Sequence, residues 1–211
     1  MKIKICGIRT TEAARTAVEA GADFLGFIFY RKSRRYIEPE EAACIVRAVR
    51  SGGALTVGVV VDETAEDVVE MVRRSGVEIV QLHGHEPPEV AAQIRNDCGV
   101  RIIKAFRWRN DFSAETANLY PADYYLLDSF RQGVPGGTGE TFAWREAAGE
   151  ARRLAKPLFV AGGISKDNAG EAARIFGPFG LDVSGSLEEN GEKSPEKIRE
   201  FLKKIKTEAV S

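Results

Sequence analysis

The residues best suited to chemistry sit where short apolar runs stop. Cys6 closes KIKIC, Asp128 closes YYLLD, and Gln81 and His83 stand in VQLHGHE. Arg34 and Arg35 end a basic loop after FLGFIF, and Asp182 sits in GLDV. Late in the chain LFVA stops at Gly162-Gly163, and GLDV stops at Ser184-Gly185-Ser186. Two apolar runs, each ending in a glycine-containing turn, can aim free backbone N–H groups at one anion. Glycine lets the backbone come close, and a following helix start adds partial positive charge. A phosphate suits such a pair of turns. A carboxyl and a thiol on opposite sides of an anchored phosphosugar could give one proton and take another, as an isomerisation requires.

Every one of these types also has an ordinary structural use. A cysteine closing a strand is commonly a small core residue. An aspartate at a strand end commonly caps or anchors a loop. Arg34 and Arg35 could be solvated surface charge, His83 a satisfied core histidine, and Gly162-Gly163 a tight turn. Cys44 and Cys98 fall on helical stretches and read as structural.

The elements that must position these residues alternate along the chain. Residues 2–6 read as a first strand, and Thr10 or Thr11 can cap a helix that Gly21 ends. Phe24 to Phe29 reads as a second strand, with a helix opening near Pro39. Leu55 to Val61 is nearly all apolar, as a strand buried on both faces should be. Helix 64–75 stops at Gly76. Strand 78–82 precedes helix 87–97, and strand 101–105 precedes a short helix capped by Ser113. Strand 124–127 leads through a glycine-rich loop to a helix over about 142–155. Strands 158–161 and 180–183 flank a helix over about 166–175. A last amphipathic helix starts at Ser194-Pro195-Glu196, with Ile198, Phe201, Leu202 and Ile205 on one face.

Strict strand–helix alternation implies a parallel sheet. An open doubly wound sheet usually carries its glycine-rich phosphate loop after the first strand. Here the glycine pairs sit late, where the loops after strands seven and eight of a closed barrel form a phosphate site. The expected fold is α/β, a single (β/α)8 TIM barrel of parallel strands spanning residues 1–211. Around its rim, strands 6, 7, 8 and 1 are neighbours. Asp128 and Cys6 should therefore flank the phosphate loops from opposite sides.

Composition narrows the function classes. Charge is balanced, with 30 basic and 31 acidic side chains, so nothing draws the chain globally to nucleic acid or an anionic membrane. No apolar run reaches the roughly 18 residues of a membrane span. MKIKIC is too short and polar for a signal-peptide core. Three scattered cysteines without paired spacing fit reduced thiols in a cytoplasmic protein.

KICGIRT, GADFLGFIFYRKSRRYI, VQLHGHE, LLDS, GGTGETFAW, LFVAGGIS and GLDVSGSLE follow one another in order across nearly the whole chain. In this series the sequence resembles the phosphoribosylanthranilate isomerases of tryptophan biosynthesis. The resemblance implies an Amadori rearrangement of a phosphoribosyl-anthranilate substrate in the same barrel, with no metal or organic cofactor. It implies Cys6 as general base, Asp128 as general acid, and Arg35 facing the anthranilate carboxylate. Gln81, His83 and Asp182 would line the site and orient substrate hydroxyls, and Gly162, Gly163, Ser184, Gly185 and Ser186 would hold phosphate. Either a monomer or a homodimer is compatible with the sequence.

The chemistry sets its own demands. An acid at pH 7 must be a protonated carboxyl, so Asp128 needs burial and a water-poor mouth. The base must be a thiolate, and helix N-termini or the arginine loop are the groups expected to help ionise Cys6. The chain departs from the family at Arg34, where proline is usual, and at Gly185-Ser186, where serine and glycine have traded places. The loop holding Gly136, Gly137, Thr138 and Gly139 is expected to be a mobile lid that excludes water. Two other functions fit the same residues. One is another barrel isomerase acting on a phosphosugar; the other is a barrel that binds a phosphorylated metabolite without turnover.

Overall fold

The computed structural model describes residues 1–109, 111–128 and 140–208. The expected lid residues Gly136, Gly137, Thr138 and Gly139 lie outside the described residues. Eight parallel strands close on themselves in chain order, so every strand pairs with its sequence neighbours and the first pairs with the eighth. They are β1 (Lys2–Cys6), β2 (Phe24–Ile28), β3 (Leu55–Val60), β4 (Ile79–Leu82), β5 (Arg101–Arg107), β6 (Tyr124–Asp128), β7 (Leu158–Ala161) and β8 (Gly180–Val183). The outer helices are α1 (Thr11–Ala20), α2 (Pro39–Val49), α3 (Ala65–Ser75), α4 (Pro88–Cys98), α5 (Ala114–Ala117), α6 (Glu140–Ala151), α7 (Ala169–Phe176) and α8 (Pro195–Glu208). This is the expected (β/α)8 TIM barrel. Among the described residues, no helix is long and apolar enough to cross a membrane.

Local chemistry sets the helix ends. The Thr10 hydroxyl accepts from the Ala13 N–H and starts α1; Thr64 does the same for α3 through Asp67. Ser113 likewise caps α5. In α8, Ile198, Phe201, Leu202 and Ile205 are all buried, as their spacing requires.

Strand alternation divides the core in two. Side chains such as Ile5, Leu25, Leu82, Ile102 and Leu127 point outward and pack under the helices. Phe24, Val57, Ile79, Ile103, Leu126 and Phe159 point inward and fill the barrel. Phe24 and Phe159 meet edge to face at 5.1 Å. This apolar plug leaves only the C-terminal mouth open to chemistry, which is where barrels of this kind place it.

Some boundaries differ from expectation for identifiable reasons. β5 runs two residues further, to Arg107, because Arg107 pairs with Asp128 and the Trp108 N–H donates to the Asp128 carbonyl at 2.9 Å. α6 ends at Ala151, and three-residue turns follow it, with the Arg153 N–H on Glu150 and the Leu154 N–H on Ala151. α7 starts at Ala169 rather than near Lys166. The Asn168 side chain folds the intervening turn, accepting from the Ser165 N–H and donating to the Gly163 carbonyl. A hairpin, β9 (Glu188–Glu189) with β10 (Glu192–Lys193), precedes α8. Its turn is Asn190-Gly191, both at positive φ, the pair preferred for a two-residue hairpin loop.

Candidate active site

One cavity of about 420 Å³ opens at the C-terminal mouth. Its wall includes Cys6, Arg35, Gln81, His83, Asp128 and Asp182. Gly162, Gly163, Ser184 and Gly185 also line it, so the structure brings together all the described site residues singled out from sequence except Ser186. The Ser186 hydroxyl instead donates to the Ile164 carbonyl at 2.7 Å, tying the loop after β8 to the loop after β7. The Ser184 hydroxyl donates to the Cys6 carbonyl at 2.9 Å, tying the same loop to β1. Both hydroxyls thus hold loops in place. Gly162 and Gly163 have φ of +90° and +71°, a double left-handed turn that side-chain-bearing residues would strain.

Lys4 was not anticipated from the sequence. It lies two residues before Cys6 on β1, so both side chains turn into the barrel. Its register partner on β8 is Asp182, and Lys4 Nζ donates to Asp182 Oδ1 at 2.9 Å. The ammonium is 0 % exposed. Burial opposes its charge, but Asp182 and the Cys6 sulfur more than offset this and raise its pKa. Lys4 therefore stays charged beside the thiol.

Cys6 is opposed by Gly26 on β2. A methyl group at Gly26 would stand 2.9 Å from Cys6 Sγ and 3.1 Å from Lys4 Nζ. Glycine is what lets the thiol and the ammonium share this wall. Burial pushes the Cys6 pKa up, and Lys4 pulls it back down, with a smaller pull from Lys193 against the opposing push of Asp182; the net shift is upward. This corrects the sequence expectation. The cations that favour the thiolate are lysines, not the arginine loop, and burial outweighs them.

Glu188 is the second unanticipated group. Its carboxylate takes Arg35 through Nε and through Nη2 at 3.2 Å, Arg34 Nη2 at 2.7 Å and Lys193 Nζ at 2.8 Å. Burial disfavours its charge, but the hydrogen bonds from Arg35 and Lys193 prevail and hold its pKa down at about 2. The pair fixes the Arg35 guanidinium at the cavity edge. Arg34, two-thirds exposed, stands on the outer side of the same carboxylate.

Across the mouth, His83 Nε2 lies 3.5 Å from Asp128 Oδ2. The loop that carries His83 is braced from outside the barrel. Glu86 accepts from the Asp62 and Gly84 N–H groups and pairs with Lys104 Nζ at 2.7 Å, both side chains nearly fully buried. Asp62 in turn accepts from the His85 N–H at 2.5 Å. His85 itself is exposed. No cluster of metal-ligating residues occurs among the described residues.

Residues 3–204 match the family model for N-(5'phosphoribosyl)anthranilate (PRA) isomerase. The N-(5'-phosphoribosyl)anthranilate isomerase of Geobacter metallireducens is 40 % identical over 207 residues, 98 % of this chain and 99 % of that one. The crystal structure of phosphoribosyl anthranilate isomerase from Thermotoga maritima superposes with a TM-score of 0.87 at 36 % identity, covering 98 % of this chain and 99 % of that one. A crystal structure of a phosphoribosyl anthranilate isomerase with reduced 1-(o-carboxyphenylamino)-1-deoxyribulose 5-phosphate matches at a TM-score of 0.84 and 34 % identity, with the same coverage.

Proposed function

This chain belongs to the N-(5'-phosphoribosyl)anthranilate isomerase family, and from that premise we propose that Cys6 and Asp128 carry its two proton transfers. The family reaction is the Amadori rearrangement of N-(5'-phosphoribosyl)anthranilate to 1-(2-carboxyphenylamino)-1-deoxyribulose 5-phosphate, in tryptophan biosynthesis. The observation that supports these roles is that one cavity wall holds a thiol and a carboxyl on either side of the two glycine-bearing loops.

Phosphate binds to backbone N–H groups of Gly162, Gly163, Ser184 and Gly185, which sets the ribose across the mouth. Arg35, oriented by Glu188, meets the anthranilate carboxylate. Asp128 delivers its proton to the furanose oxygen. The bond from that oxygen to C1 breaks as the anilino nitrogen lone pair forms a C1–N double bond. The Cys6 thiolate then takes the proton from C2. The released pair makes a C1–C2 double bond, and the C1–N pair returns to nitrogen. The enolamine loses its hydroxyl proton and gains one at C1, which yields the ketone. Lys4 favours the thiolate throughout because it keeps a buried positive charge next to the sulfur. A small-molecule substrate and a cytoplasmic setting fit this reaction.

The test is loss of anthranilate fluorescence with substrate made in place from anthranilate and phosphoribosyl pyrophosphate by a separate transferase, and the next synthase present. Protein-dependent turnover supports the assignment. Tight binding of the reduced product analogue with no turnover would instead favour a barrel that only binds a phosphorylated metabolite.

A further inference from the structure

Three polar side chains at the mouth form a line, of which the two-proton scheme uses only Asp128. Gln81 faces inward from β4 and is 1 % exposed. Its side-chain Nε2 lies 2.7 Å from His83 Nδ1. The far ring nitrogen, His83 Nε2, lies 3.5 Å from Asp128 Oδ2. The histidine backbone is fixed as well, since its N–H donates to the Val60 carbonyl at 2.9 Å.

The direction of this line follows from what an amide can do. A Gln81 N–H pointing at Nδ1 requires a lone pair there, so the ring proton must sit on Nε2. The reverse orientation would turn the carbonyl to the ring and put both amide donors where Oε1 now lies. That position is buried and offers no hydrogen-bond partner among the described residues. An orphaned carbonyl oxygen is tolerated better than an orphaned amino group with two donors.

We propose that Gln81 is a positioning residue that acts through His83 on Asp128, fixing the neutral ring with its proton on Nε2 and aimed at Asp128 Oδ2. The inference rests on Asp128 being the acid. His83 keeps its proton throughout; only Asp128 gives one up, to the furanose oxygen. Before transfer His83 faces a neutral carboxyl, and 3.5 Å is longer than a formed hydrogen bond. As the ring opens Asp128 becomes a carboxylate, and a hydrogen bond to a charged acceptor is roughly twice as strong as a neutral one. The contact is therefore stronger in the transition state than with bound substrate, so it acts on kcat rather than on affinity.

The tautomer can be read directly by NMR of protein labelled with 15N-histidine. The chain has two histidines, and His85→Gln assigns the signals. The expected spectrum at neutral pH shows His83 with an unprotonated Nδ1 and a protonated Nε2. In Gln81→Glu a carboxylate replaces the donor and draws a proton to Nδ1. The kcat is expected to fall roughly tenfold or more with KM changed by no more than about twofold, as loss of a transition-state contact requires. Gln81→Met should mix the two tautomers and lose less. A wild-type ring protonated on Nδ1 would overturn the proposal, as would a Gln81→Glu variant with altered tautomer and unchanged kcat. Normal turnover in Asp128→Asn would overturn the acid assignment instead, and the wild-type tautomer spectrum tells these two failures apart.

Discussion

Lys4 and Asp182 are register partners on β1 and β8, and their side chains form an ion pair of 2.9 Å inside the barrel, below the Cys6 thiol. The lysine carries the charge that favours the thiolate, and the aspartate keeps that charge in place. Removing one partner strands the other. Lys4→Met should destabilise the fold by about 3–5 kcal/mol, the usual cost of breaking a buried pair from one side. The double variant Lys4→Met with Asp182→Asn should regain much of that stability in urea unfolding but not the rate. Recovery of both would mean that Lys4 serves the fold alone.

The pH profile follows from Cys6. Burial raises its pKa despite Lys4, and the base works only when deprotonated. Wherever Asp128 still holds its proton, kcat/KM should therefore rise with the thiolate fraction, and loss of the Asp128 proton should offset that rise. In Lys4→Met the largest lowering influence is gone, so the rising limb should move to still higher pH. A thiol-dependent limb that Lys4→Met leaves in place would argue against Cys6 as the base.

Glu188 gives a separate dependence at acid pH. Its pKa is lowered from 4.5 to about 2 in the folded protein. A depressed carboxylate pKa adds stability above the unfolded value, and that stability is lost as pH falls through the folded one. Stability should thus decline between pH 4.5 and about 2, and Glu188→Gln should flatten that part of the curve. Equal acid sensitivity in the variant would remove Glu188 from the explanation.

The two arginines should separate cleanly. Arg35 lines the cavity, and its loss should raise KM by roughly tenfold or more, the effect of a missing charge-assisted contact to the anthranilate carboxylate. Arg34 is exposed, and a surface ion pair contributes only about 0–1 kcal/mol. Arg34→Ala should leave stability nearly unchanged and shift KM by no more than a few-fold, less so at high salt. The check is steady-state kinetics of both variants at two ionic strengths.

Gly26→Ala tests the crowding around the thiol. The added methyl would meet Cys6 Sγ at 2.9 Å and the Cys6 Cα at 3.1 Å. Part of that contact is backbone, which cannot swing aside, so a cost of about 1–3 kcal/mol is expected. Turnover should drop with it because the sulfur must move. An alanine variant with full activity would show that the thiol has room to spare.

Most of the barrel was legible because most strands are apolar runs that end near a polar or glycine residue, and because Thr10, Thr64 and Ser113 cap helices. Cys6, Asp128 and the glycine turns stand out because they end such runs. Lys4 was hidden by its setting: in KIKIC the alternation reads as polar residues facing solvent, whereas β1 is buried on both faces. The i, i+2 spacing of Lys4 and Cys6 was the available signal. Glu188 was hidden because its partners Arg34 and Arg35 lie more than 150 residues away in sequence. Asn190-Gly191 was a readable hairpin signal that a count of strand–helix units passes over. The start of α7 moved because a side-chain turn at Asn168 replaces the first helical turn, and no periodicity encodes that.

The most direct measurement compares Cys6→Ala and Asp128→Asn with wild type for turnover and for binding of the reduced product analogue. With the fold intact by circular dichroism, each variant should lose turnover by roughly 10²-fold or more, the usual contribution of a positioned acid or base, while analogue affinity stays within a few-fold. Near-normal turnover in either variant, or loss of analogue binding in parallel with turnover, would contradict their assignment as the base and the acid.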